Sequence, residues 1–322
     1  MVSLKNKGGQ FQVSFGWLFA IIVGGIILFL AIYMAVKIIN SGEQEIDAKL
    51  GQEIGVLTNP LETSFQAGVA VPMTVPKESR IYTECAEEGN FGLQQIKVSQ
   101  KNFGKWSETN VQSVFANKYI FSENPAEGRK FFLFSKPFEF PFKVGNLIYL
   151  ISTEDEYCFV NAPENVKEEL DSLGKIKNMK YENCTLSANP EEQTDICFTY
   201  SSLCEVYVDY SSGMGYTEKN GSRVYFVDDS LMYASIFSPS VEYECQIKRL
   251  MKRAGILAEL YTDKGNFIER KGCSSNLGPD LTIFRNKVLQ LISSGNSGDL
   301  MSLKSIVDEI KDKNSNLNCR LW

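Results

Sequence analysis

The chain contains no histidine among its 322 residues. That absence removes Ser-His-Asp and Cys-His nucleophile systems and every imidazole metal ligand. There is no CxxC pair either, so neither the usual zinc spacing nor a thioredoxin-like redox motif can be written. Positive charge is not in excess: 33 Lys and Arg against 39 Asp and Glu leave −6, which argues against a nucleic-acid partner. No segment is of low complexity and no period repeats, which speaks against a solenoid or propeller. Gly213-Met214-Gly215 lacks both the GxxxxGK[ST] and the GxGxxG frame, so it reads as a turn and not as a phosphate loop. No cofactor and no metal site are expected.

What is present is one apolar run, residues 15–36, without a single charge. At 1.5 Å per helical residue it reaches about 33 Å, enough to cross a hydrocarbon core of about 30 Å. Lys5 and Lys7 precede it, and no acid occurs before Glu43, which is followed by Glu45 and Asp47. Cytoplasmic flanks are enriched in Lys and Arg, so the N-terminus is expected inside, with Lys37 snorkelling on the far side. The run exceeds the core of an ordinary secretory signal, and no small-x-small site follows it.

All eight cysteines, Cys85, Cys158, Cys184, Cys197, Cys204, Cys245, Cys273 and Cys319, lie beyond the run. An even number on the proposed outer side predicts disulfides, although spacing cannot choose among roughly a hundred pairings. Asn183 (NCT) and Asn220 (NGS) are candidate glycosylation acceptors of an exported surface.

The helical pattern continues past the membrane run. Ile38, Ile39, Ile46, Leu50, Ile54 and Leu57 recur among charged residues as far as Asn59-Pro60, predicting one helix of about 45 residues. Gly42 and Gly51 are its weak points, at about 1 kcal/mol each. The expected organisation is a tail or leader over 1–14, a transmembrane helix over 15–37, an amphipathic stalk over 38–59 and a proline-bearing linker over 60–77. An extracytoplasmic α+β domain over 78–322 follows, β-rich to 240 and helical from 241.

Within that domain, strands are expected at 78–86, 93–99, 118–122, 130–135, 146–152 and 156–160. In the aromatic run 131–142, Pro137 and Pro141 bar a central strand along its whole length. A short helix is expected with Asn161 as its cap and Pro163 near its start. Residues 178–204 read as a cysteine-stapled insertion. Strands at 205–210 and 222–229, joined by a long Gly-rich loop, form a hairpin with 232–237 beside it. Apolar stripes at 246–261, 281–292 and 300–310 predict three closing helices.

Few residues offer chemistry. Asp228-Asp229 and Glu154-Asp155-Glu156 are paired carboxylates in principle, but adjacent acids on a strand end point to different sides. Lys248, Arg249, Lys252 and Arg253 form a basic cluster opposite the Leu250, Met251 and Leu257 stripe. It is a candidate docking patch for an acidic glycan, a lipid headgroup or a protein, or simply a solvated helix face. The aromatic run 131–142 is either sheet core with proline-marked turns or a ligand-binding or membrane-touching strip.

The segment KNKGGQFQVSFGWLFAIIVGG resembles the archaeal class III signal, in which a short basic leader ending in glycine is cut before the mature residue. Lys5, Lys7, Gly9 and Gln10 match that pattern, which implies processing between Gly9 and Gln10. A half-apolar, half-amphipathic helix followed by a β-rich, disulfide-bearing head is similar to type IV pilin and pseudopilin subunits. Ser14 departs from the glutamate that bacterial pilins carry, and the head is large for a major pilin. The resemblance covers only the first 60 or so residues. Three readings follow: a non-enzymatic, single-pass cell-envelope protein anchored in membrane lipid, with a protein or glycan partner; a pilin-like filament or secretion subunit, associating as a homo-oligomer through the transmembrane helix at Gly24-Gly25; or an extracytoplasmic enzyme working without histidine.

Overall fold

The computed structural model describes residues 15–59, 70–107, 112–174, 176–182, 184, 186, 193–273 and 275–322, with side chains at 38–48 excluded. The leader pair Gly9 and Gln10 and the acceptor Asn183 lie outside the described residues. The chain divides into two units, 1–46 and 47–322.

The first unit holds most of one helix, α1 (Phe15–Leu57), which runs 43 residues without a break and passes through Gly42 and Gly51. Its segment Phe15–Lys37 has a mean hydropathy of 2.7 and no buried residue, so by length and composition it can cross a membrane.

The second unit is mixed α+β, with two sheets. It opens with the end of α1, where Leu50 and Ile54 are buried. They pack among Ile96, Val98 and Ile81 of the first sheet. Gly51 and Gly55, one turn apart, let the helix come close. A methyl at 51 would stand 3.0 Å from the Ser113 hydroxyl, and one at 55 would overlap the Phe115 ring. Gly51, which reads as a weak point in the sequence, therefore serves a close approach.

The first sheet comprises β1 (Val71–Ala86), β2 (Leu93–Asn102), β3 (Lys105–Trp106), β4 (Gln112–Phe115), β5 (Ile120–Phe121), β6 (Ala126–Glu139) and β7 (Lys143–Ser152). Its order is β3-β2-β1-β6-β7-β5, with β4 beside β2. On β7, Leu147, Tyr149 and Ile151 join one core and Ile148 and Leu150 the other, so this strand is buried on both faces. A run apolar at every position is what such a strand requires.

One correction concerns proline. β1 begins at Val71, so residues 71–77 belong to a strand and not to the linker expected there. Pro72 pairs only with β6, because β2 joins β1 from Ser79 onward. Pro137 pairs with Asn146 of β7, beyond the point where β1 ends against Leu133. Among the described residues both prolines thus occupy stretches with a neighbour on one side, where a missing N–H costs nothing. Phe131, Phe134, Phe138, Phe140 and Phe142 are all buried, so the aromatic run is core and not a surface strip.

The second sheet comprises β8 (Tyr157–Val160), β9 (Met179–Lys180), β10 (Thr194–Cys197), β11 (Val206–Ser211), β12 (Met214–Lys219) and β13 (Ser222–Phe226), in the order β13-β12-β11-β10-β8-β9. The loop expected between two strands is itself largely β12. Left-handed Ser212-Gly213 and Asn220-Gly221 make two tight turns around it. α2 (Glu164–Ser172) follows β8, and its N-cap is Pro163; Asn161 does not cap it but takes φ +55° in the turn before.

Residues 232–237 form no strand. They lie in α3 (Asp229–Phe237), started by the Asp228 carboxylate, which accepts the Leu231 N–H at 2.8 Å. Every residue from Ser230 to Phe237 is buried, so no polar face marks the helix in sequence. The three closing helices are α4 (Ser240–Glu269), α5 (Gly278–Ser294) and α6 (Asp299–Ser315), packed α4 on α5 and α5 on α6.

Candidate functional site

The basic cluster of α4 faces the β1–β2 turn, residues 87–92. Lys248 pairs with the Glu87 carboxylate at 2.7 Å, and Lys252 donates to the Glu87 carbonyl at 2.7 Å. Arg249 is 0% exposed, which removes it from any surface patch. Its guanidinium donates to the carbonyls of Phe91, Ala116 and Lys118 and to the Gln246 side chain at 2.7 to 3.2 Å, and stands over the Tyr119 ring. Burial pushes Arg249 down to about 10, with Tyr119 opposing and Arg253 adding; it stays charged at neutral pH. Helical spacing alone puts Arg249 opposite the apolar stripe, and it does not show that a loop folds over that side of the helix.

Next to this clamp, a cleft of about 600 Å³ is lined by Cys85, Glu87, Arg223, Val224, Ser240, Val241, Glu244, Cys245 and Lys248. Its charges already have partners. Arg223 pairs with Glu218 at 2.8 Å, Lys248 with Glu87, and Glu244 accepts both the N–H and the hydroxyl of Ser297. Burial raises Glu244, and Ser297 holds it back.

The eight cysteines form four disulfides: Cys85–Cys245, Cys158–Cys184, Cys197–Cys204 and Cys273–Cys319, with Cα separations of 6.0, 5.6, 6.1 and 6.2 Å. None is free. The first ties β1 to α4, where Glu242 also accepts the Cys85 N–H. The fourth closes the helical end, from just past α4 to just past α6.

The paired acids do not converge. Asp228 is spent on capping α3, while Asp229 accepts from the Tyr210 hydroxyl at 2.8 Å. Asp155 is raised to about 6, first by burial and then by Glu123, Glu154 and Glu127, with Lys219 opposing. Among the described residues no group of three or more His, Cys, Asp or Glu is placed to hold a metal ion.

Protein families, curated proteins and solved structures offer no match to this chain.

One feature escaped the sequence reading. Tyr200, Tyr207, Tyr216 and Tyr225 form a row across the second sheet, with neighbouring ring centroids 5.5, 6.0 and 5.9 Å apart. Tyr207, Tyr216 and Tyr225 alternate with the buried Val206, Val208, Thr217, Val224 and Phe226, so the row lies on the opposite face. Arg223 stands 4.1 Å over Tyr216. The signal was the period of two once β12 is recognised as a strand. Such cross-strand pairs stabilise a sheet, and they leave Tyr200, 74% exposed, at one end.

Proposed function

We propose that this is a single-pass membrane protein with a cytoplasmic N-terminus and an extracytoplasmic α+β domain that serves a binding or structural role in the cell envelope. One observation carries the reading: every cysteine is paired, in a chain whose N-terminal helix is long and apolar enough to span a bilayer. Disulfides persist where the surroundings are oxidising, and Lys5 and Lys7 before the span favour its N-terminal side as the cytoplasmic one. The non-enzymatic part rests on the missing histidine and on acids engaged in capping and ion pairs.

The test is labelling of intact cells with a membrane-impermeant amine reagent, followed by peptide mapping. Modified lysines from Lys77 onward, with Lys5 and Lys7 protected, are expected. Labelling confined to Lys5 and Lys7 reverses the topology.

A second reading, a pilin-like subunit, is favoured by the unbroken α1 and by the packing of its last turns on a sheet. It requires a mature N-terminus at Gln10, which N-terminal sequencing of membrane-extracted protein reads directly. A chain that keeps its leader removes this reading and leaves the first.

A further inference from the structure

We propose that Asn220 is an acceptor for an N-linked glycan, an assignment that rests on the extracytoplasmic reading above. Asn220, Gly221 and Ser222 are three consecutive exposed residues at the tip of the β12–β13 hairpin. Lys219 pairs with Ser222, so Asn220 and Gly221 are the whole turn, at φ +52° and +72°. A methyl built on Gly221 would have nothing within 4 Å, so the tip is open on that side. Among the described residues, the Asn220 amide makes no hydrogen bond.

The fold explains two members of the triplet and not the third. A two-residue turn with both residues left-handed selects Asn-Gly. Ser222 serves no such need: it is exposed, and its hydroxyl has no partner among the described residues. An acceptor triplet does need that hydroxyl at the second position after the asparagine. The donor is a lipid-linked oligosaccharide. The Asn220 amide nitrogen forms a bond to the anomeric carbon, the bond from that carbon to the lipid phosphate oxygen breaks, the phosphate leaves with the electron pair, and the amide proton passes to the transferase.

The position also has a use. β13 is an edge strand of its sheet. The Tyr225 N–H, which points outward from that edge, is capped by the Ser297 hydroxyl at 2.8 Å. The equivalent outward N–H two residues nearer the tip, at Arg223, has no such cap among the described residues. A glycan at Asn220 stands beside this open stretch and obstructs strand addition from another chain.

The test uses the full chain, extended by an Asn-Gly-Thr tag after Trp322, in cells that carry out N-glycosylation. The peptide holding residues 220–222 and the thiol state are read by mass spectrometry on one sample. The expected result is a sugar mass on that peptide in the unaltered chain and in Ser222→Thr, and its near-complete loss in Ser222→Ala, which keeps the Asn-Gly turn. Oxidised cysteines and a modified tag with Asn220 bare overturn the acceptor and leave the topology standing. Free cysteines with a bare tag overturn the topology and the acceptor together.

Discussion

The guanidinium of Arg249 lies 4.7 Å from the ring centroid of Tyr119, and four oxygens, none of them a carboxylate, accept its hydrogen bonds. A buried cation held by neutral acceptors replaces its hydration shell with main-chain dipoles from two separate loops, 87–92 and 116–119. The basic helix face therefore works as an internal clasp.

Removing that clasp takes the Arg249 donors from the Phe91, Ala116 and Lys118 carbonyls, the last of them buried. Arg249→Met is expected to lower the stability of the detergent-solubilised chain by about 3 to 5 kcal/mol in guanidinium unfolding, and Arg249→Lys to recover only part of it. Lys248→Ala, which breaks a partly exposed pair, is expected to cost less than about 1 kcal/mol.

Gly92 sets the distance between the clasp and its loop. It takes φ +61°, and a methyl there would stand 2.6 Å from Arg249 Cγ and 2.7 Å from the Ala86 carbonyl. Gly92→Ala is expected to cost about 2 to 4 kcal/mol by the same measurement, whereas Gly25→Ala, with open space around it, leaves the unfolding midpoint unchanged.

The disulfides are expected to differ in worth with the length of chain they close. Cys85–Cys245 spans 160 residues and Cys197–Cys204 spans 7. Loop-closure entropy assigns about 5 kcal/mol to the first and about 2.5 to the second. Paired serine substitutions compared by chemical denaturation read the order, and non-reducing peptide mapping reads the four pairings themselves.

Asp155 predicts a pH dependence with a definite sign. Burial and three neighbouring carboxylates raise it to about 6 in the folded chain, above its unfolded value of about 3.9. The folded form favours the protonated carboxyl, so the stability Asp155 contributes is full below about pH 4 and is lost as pH rises through 6. Asp155→Asn is therefore expected to stabilise the protein at pH 7, on the order of 1 kcal/mol after allowing for its partial exposure, and to have little effect at pH 4. Equal gains at both pH values contradict the assignment.

The parts of the fold legible in sequence are those with a long, uninterrupted signal. The 43 residues of α1, the strands around Ile81, Ile96 and Ile148, and the stripes of α4, α5 and α6 announce themselves through periodicity. α3 did not, because a helix buried on all sides has no polar face to alternate with. β12 was hidden because two tight turns only eight residues apart, at Ser212 and Asn220, merge into one Gly-rich stretch. The disulfide partners and the inward position of Arg249 depend on which loop folds over which helix, and nothing local in the sequence encodes that.

The four disulfides nest without crossing: two of them lie within the span from Cys85 to Cys245, and the last lies outside it. A protease that severs one peptide bond between those two cysteines leaves both pieces covalently joined, and the same holds between Cys273 and Cys319. Between Cys85 and Cys319, the stretch where a single cut separates two pieces is 246–272, and nearly all of it is the body of α4, whose helical backbone a protease cannot engage without unfolding it. In the extracytoplasmic setting proposed above, the domain is thereby protected from being shed piecemeal.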